Sequence, residues 1–95
     1  MAMEWLTGRR REPKPPVQIV LYTRQGCHLC DDARAVLDAA GRRYRLEVRP
    51  VDVDTDPDLA ARYGLEVPVV EIAGRVRFRG RVNRVLLERL LRKEG

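Results

Sequence analysis

The chain is poor in cysteine, histidine and aromatic side chains. Its 95 residues include two cysteines, one histidine, one tryptophan, one phenylalanine and three tyrosines. Two cysteines only three positions apart exclude a secreted scaffold held by several disulfides, which spreads its cysteines to close long loops. A long apolar run is also missing, since none approaches the ~20 residues that cross a bilayer. Residues 1–16 contain no apolar core of a signal peptide and no small-residue cleavage site, so a cytoplasmic protein is expected. Apolar residues still make up 44 % and charged residues 35 % of the chain. That balance fits one globular domain with a charged surface and a single modest core, and it argues against disorder.

Acidic charge is in the minority, and the net charge is +5. The excess is uneven. Residues 72–95 carry eight basic and two acidic side chains, residues 17–71 seven and ten, and residues 1–16 four and two. Basic ends of this kind can steer an acidic partner or a nucleic acid. A solvated surface is the favoured explanation, because charge balance alone says nothing about specificity, so no nucleic acid and no membrane is expected as partner.

Residues 1–16 read as a basic tail, broken by Gly8-Arg9-Arg10-Arg11 and by Pro13-Lys14-Pro15-Pro16. Trp5 and Leu6 are the tail's candidates for docking on the domain of residues 17–95. Val17 to Thr23 is a β-branched apolar run, which predicts a strand buried on both faces. After the turn Arg24-Gln25-Gly26, apolar residues at 29, 33, 36, 37 and 40 predict a helix that Gly41 ends. Tyr44 to Val53 predicts a second strand, with Pro50 marking an edge or a bulge. Asp56-Pro57 opens a short helix that ends at Gly64. Val67 to Ile72 and Arg75 to Arg79 predict two strands joined by the tight turn Ala73-Gly74. Asn83 caps a last helix with Val85, Leu86, Leu87, Leu90 and Leu91 on its apolar side.

The order is β-α-β-α-β-β-α. Helical crossovers make the first strands parallel, and the short turn makes the last two antiparallel. The expected fold class is α/β, a three-layer sandwich with a four-stranded mixed sheet between helices.

Cys27 and Cys30 fall between the first strand and the first helix. A redox couple, a metal site or chance could account for such a pair. The position favours the first. Unpaired N–H groups at a helix N-terminus stabilise a thiolate at Cys27, and Cys30 lies one turn further in, less exposed and within reach. Cys27 would then attack a disulfide and Cys30 would resolve the mixed disulfide. Protonated His28 would favour the thiolate, and Asp31 and Asp32 would oppose it. Val67-Pro68 is a second unusual element, because proline at the opening of a central strand donates nothing to the ladder.

The run Leu21-Tyr22-Thr23-Arg24-Gln25-Gly26-Cys27-His28-Leu29-Cys30, with Val67-Pro68 some forty residues later and a hairpin ending at Gly80, resembles the thioredoxin-fold glutaredoxins. It is most similar to the small bacterial glutaredoxin-like proteins with a YTR-x-x-C-x-L-C motif. The resemblance spans about residues 17–93. It implies Cys27 as nucleophile and Cys30 as resolving thiol. It implies that Arg24 meets a glutathione carboxylate, and that Val67 and Pro68 form a cis-proline segment against the ligand's cysteinyl part. Gly80 and Asn83 would lie at its γ-glutamyl end.

Three departures accompany the likeness. Arg81 replaces a second glycine, Asn83 replaces an acid, and His28-Leu29 replaces Pro-Tyr. Leu21 stands where thioredoxins carry a buried Asp. No tightly bound cofactor is expected, with glutathione as candidate co-substrate. Expected partners are a protein disulfide or a glutathione mixed disulfide, and a reductase as electron donor, acting on a monomer.

Two other readings stay open. Cys27 and Cys30 could hold zinc or a shared iron–sulfur cluster, with further ligands from a second chain or outside thiols. Alternatively, Arg75, Arg77, Arg79 and Arg81 would share one face of the hairpin as a basic interaction surface, or as a charged edge that resists aggregation. The Asp52, Asp54, Asp56 and Asp58 series lacks the glycine and glutamate of an EF-hand loop, and a strand end, a turn and a helix cap account for it.

Overall fold

The computed structural model describes residues 15–94. The expectations for the tail, including docking by Trp5 and Leu6, lie outside these residues apart from Pro15 and Pro16. The β-branched run forms β1 (Val17–Thr23), and the periodic apolar segment forms α1 (His28–Ala40). β2 (Leu46–Asp52) follows, then a single 3₁₀ turn (Val53–Thr55) and α2 (Pro57–Tyr63). β3 (Val69–Ile72), β4 (Arg75–Arg79) and α3 (Arg84–Glu94) complete the chain. β2 and β3 are shorter than expected. Tyr44 stays outside β2, Val53 enters the 3₁₀ turn, and Val67-Pro68 precedes β3.

The strand order is β2-β1-β3-β4, with β1 parallel to β2 and the other pairs antiparallel. This is the mixed sheet that the connection lengths imply. Pro50 lies on edge strand β2, opposite Leu21, where a missing N–H is tolerated. Ala73 and Gly74 take φ of 51° and 85° between paired Ile72 and Arg75. Two positive φ values in a two-residue loop match the twist of the flanking strands.

The aspartate series does local work. Asp52 accepts from the Asp54 N–H, and Asp56 accepts from the Asp58 N–H at the start of α2, both at 2.9 Å. Likewise Asn83 Oδ1 accepts from the Leu86 N–H at 2.9 Å and caps α3. Gly64 is needed for space rather than for a left-handed backbone. A Cβ there would lie 2.4 Å from the Ala60 carbonyl oxygen.

The sheet's two faces differ. Ile19, Leu21, Val70, Ile72 and Phe78 face Ala33, Leu37 and Ala40 of α1 and Leu87 and Leu91 of α3, and all are buried. At ~1.5–3 kcal/mol for each large apolar side chain removed from water, this layer dominates stability. The other face has a small cluster of Val53, Tyr63 and Val69, joined by Tyr22, Leu59, Val67 and Val76.

One expectation fails. The arginines of the hairpin do not share a face. The register shifts between Val70 and Glu71, so that Phe78 pairs with Val70 but Val76 pairs with Glu71. Arg77 is thus the extra residue of a bulge, and the alternation changes phase across it. Arg75, opposite Ile72, lies on the side of the large core, while Arg79, opposite Val69, lies on the side of the small cluster.

Candidate active site

β1 ends at Thr23 and runs into a turn in which Gly26 has φ of 77°. The chain then reaches Cys27, whose extended backbone (φ −93°, ψ 105°) makes it the N-cap of α1. Its sulfur accepts from the Cys30 N–H at 3.1 Å, and its carbonyl accepts from the Asp31 N–H at 3.2 Å. Cys27 and Cys30 are joined as a disulfide with Cα atoms 5.2 Å apart. Cys27 is half-buried, whereas Cys30 is only 3 % exposed. The outer sulfur therefore meets solvent at the positive end of the helix, and the inner one is shielded behind it. His28 is exposed on the first turn, and so are Leu29, Asp31 and Asp32.

Topology brings Val67 and Pro68 to the end of the sheet at which β1 runs into the Cys27 turn. Val69 pairs with Tyr22, one residue from the end of β1, so the peptide preceding β3 lies beside the loop that carries Cys27. The Val67–Pro68 bond is cis. Pro68 is buried, and Val67 packs against the small cluster. Gly80, with φ of 87°, donates its N–H to the Pro68 carbonyl at 2.8 Å and the Glu66 carbonyl at 3.1 Å. Pro68, Gly80 and the segment leading to Asn83 are thereby held together.

Arg24 makes two contacts within the protein that its motif does not reveal. Nε and Nη2 donate to the two carboxylate oxygens of Asp54, each at 2.9 Å, and Nη1 donates to the Gly64 carbonyl at 2.9 Å. The guanidinium thus clamps the β1–α1 turn to the 3₁₀ turn and to the end of α2. The Arg24 hydrogen bond holds the Asp54 carboxyl below the usual carboxylate range, and that bond also raises Arg24. Nothing in the sequence ties these residues together, because Asp54 lies thirty positions away and looks like one more member of an aspartate row. Asn83, too, is engaged, as the cap of α3.

Behind Val67, the Tyr22 and Tyr63 rings pack with centroids 4.6 Å apart. The Tyr22 hydroxyl donates to Glu71 at 3.0 Å. Burial first, and then the hydrogen bond and charge of Glu71, raise Tyr22 above its ordinary value. Arg79 lies 6.0 Å over the Tyr63 ring and pairs with Glu66. These contacts fasten β4 to the segment that precedes Pro68.

A groove of about 200 Å³ lies between α1 and the segment after β4. Leu29, Ala33, Val36 and Val82 line it, with Asp32 and Arg81. Among the described residues no three or more His, Cys, Asp or Glu side chains group as metal ligands would. Among the same residues, no helix is long and apolar enough to cross a membrane.

A mixed sheet in this order, helices on both sides, a Cys-x-x-Cys disulfide at the start of the first helix and a cis-proline beside it define a thioredoxin-fold dithiol protein. The chain belongs to the glutaredoxin-like domain family (DUF836), whose sequence model matches residues 18–92. It is similar to an X. campestris protein solved by X-ray crystallography, at 34 % identity and a TM-score of 0.65, over 79 % of this chain and 96 % of that one. A Nitrosomonas europaea protein solved by NMR shares the fold at 23 % identity and a TM-score of 0.74, over 84 % and 96 % of the two chains. So does a mutant thioredoxin from Halobacterium salinarum, at 23 % identity and a TM-score of 0.59, over 81 % and 73 %.

Proposed function

We propose that the protein is a dithiol–disulfide oxidoreductase. The difference in exposure between its two sulfurs is the observation that carries this reading. In the reduced protein, the Cys27 thiolate attacks one sulfur of a substrate disulfide. A bond forms between Cys27 and that sulfur, and the other substrate sulfur leaves as a thiolate. Cys30 then loses its proton and attacks Cys27. The second substrate thiolate departs and the Cys27–Cys30 disulfide remains. Two electrons have passed from the protein to the substrate, and a thiol donor or a reductase returns them.

Val67, just ahead of Pro68, supplies the backbone against which an extended cysteinyl segment would lie. Arg24 acts as a positioning clamp in this reading, since three of its five N–H donors meet Asp54 and Gly64. Gly80 holds the Pro68 carbonyl, and Asn83 sets the start of α3. Substrates of this kind include protein disulfides and mixed disulfides of glutathione.

Trapping tests the assignment. Cys30→Ser should accumulate a mixed disulfide on Cys27, and Cys27→Ser should accumulate none and lose turnover. Reduction of the oxidised protein by glutathione, and separately by a thioredoxin reductase, identifies the electron donor. Mixed disulfides on Cys30 in preference to Cys27 would contradict these roles.

A further inference from the structure

At the end of the sheet opposite the Cys27 turn, a groove of about 350 Å³ opens where β1 begins. Val17 of β1, Tyr44 of the α1–β2 connection and Leu91 of α3 line it. Leu91 belongs to the large core, and Val17 and Tyr44 pack against that core. The groove is therefore an uncovered end of the core. The Val17 N–H donates to the Arg45 carbonyl and the Tyr44 N–H to the Ala40 carbonyl, each at 2.9 Å, which fixes the groove's shape. Arg43, Arg45 and Arg92 are exposed and form its rim. Pro15 lines the groove as well, so residues 1–14 join the domain at this point.

We propose that this groove is the docking site of the chain's own Trp5-Leu6 segment. Trp5 is the chain's only tryptophan. An indole gains from an apolar floor under its body and from cations over its face, and the groove offers both. Glu4 directly precedes Trp5. Arg43 already pairs with Glu88 at 3.1 Å, and Glu4 would pair with Arg92. The nine residues from Leu6 to Pro15 reach about 30 Å when extended. That is ample for a groove that already contains Pro15, and it leaves Arg9, Arg10 and Arg11 room to stay clear of the arginine rim. A tether this short holds the segment at an effective concentration on the order of millimolar, so a contact of millimolar affinity is occupied about half the time. Another groove, of about 400 Å³ on β1 and β2, suits an indole less well. Gln18, Glu47 and Arg49 are among its lining residues, and Gln18 bonds Glu47 at 2.7 Å. Docking at the Tyr44 groove closes the core far from the two sulfurs and does not depend on the dithiol reading.

Nuclear magnetic resonance on the full, oxidised, isotope-labelled chain reads the contact directly. Nuclear Overhauser effects from the Trp5 indole should reach the Leu91 methyls and the Tyr44 ring. Effects to Val20 or Val48 instead, or none to any residue of the domain, would overturn the assignment. Fluorescence then gives the docked population, because all tryptophan emission comes from Trp5. Acrylamide quenching of the native chain should be roughly half that of the chain in urea, or less, as the tether's effective concentration requires. Arg92→Glu and Glu4→Arg should each raise quenching toward the urea value, and the two together should restore the parent value. Arg92 is exposed and residue 4 precedes the domain, so neither change disturbs the core. Arg49→Glu, the same charge change at the other groove, should have no effect. Native quenching equal to that in urea, no response to Arg92→Glu, or protection that grows with protein concentration and so belongs to a second copy would each overturn the site.

Discussion

The two faces of the sheet do different jobs with different chemistry. One face packs ten buried apolar residues between the strands, α1 and α3. The other has three buried residues, with directional contacts around them. Tyr22 bonds Glu71, Arg79 pairs with Glu66 and covers Tyr63, and Arg24 bridges Asp54 and Gly64. Apolar burial is strong but non-directional, so the first face supplies stability. Hydrogen bonds and ion pairs near the surface add little stability and fix geometry instead. The second face therefore places the cis-proline segment and the Cys27 turn.

Substitutions on the two faces should separate these jobs. Leu37→Ala or Leu87→Ala should have the largest effect, a loss of about 2–5 kcal/mol in urea unfolding, as for other fully buried leucines. Gly64→Ala comes next, at about 1–3 kcal/mol, because the new Cβ meets the Ala60 carbonyl and crowds the Arg24 guanidinium. It should also slow disulfide exchange, which a leucine cavity need not do beyond its effect on folding. A Gly64→Ala protein as stable and as fast as the parent would remove the distinction between the faces.

Smaller effects sharpen the comparison through pH. Asp54 has a depressed folded value, so its contribution is present above the ordinary carboxylate pKa and is lost as pH falls through the lower folded value. Arg24→Gln should flatten the stability profile on the acid side of about pH 4. Tyr22 has a raised folded value, so the folded state retains its proton longer than the unfolded chain does. Its contribution is intact below about pH 10 and fades above it. Tyr22→Phe should remove that alkaline slope, as followed by denaturant titration at several pH values. Leu37→Ala should shift both profiles down without changing their shape.

The element order was readable because apolar spacing differs between Val17–Thr23 and the segment that follows Leu29, and because Asp56-Pro57, Ala73-Gly74 and Asn83 punctuate the chain. The cysteine pair was legible for the same reason, lying where a strand pattern gives way to a helical one. The bulge at Arg77 was not. The arginine alternation from 75 to 81 continues unbroken in sequence, and only cross-strand pairing shows that its phase changes. The partners of Arg24 were hidden as well, since an ion pair between residues thirty apart leaves no local pattern. The crowding at Gly64 depends on how closely the chain turns past the Ala60 carbonyl, which a glycine's presence does not specify.

Residue-resolved alkylation of the reduced protein, followed by mass spectrometry from pH 4 to pH 9, bears most directly on the assignment of roles to the two sulfurs. Cys27 should react with a titration midpoint below the ordinary thiol value of about 8.5, while Cys30 stays protected. Equal rates at both cysteines with an ordinary thiol midpoint, or faster reaction at Cys30, would contradict a helix-stabilised nucleophile backed by a shielded resolving thiol.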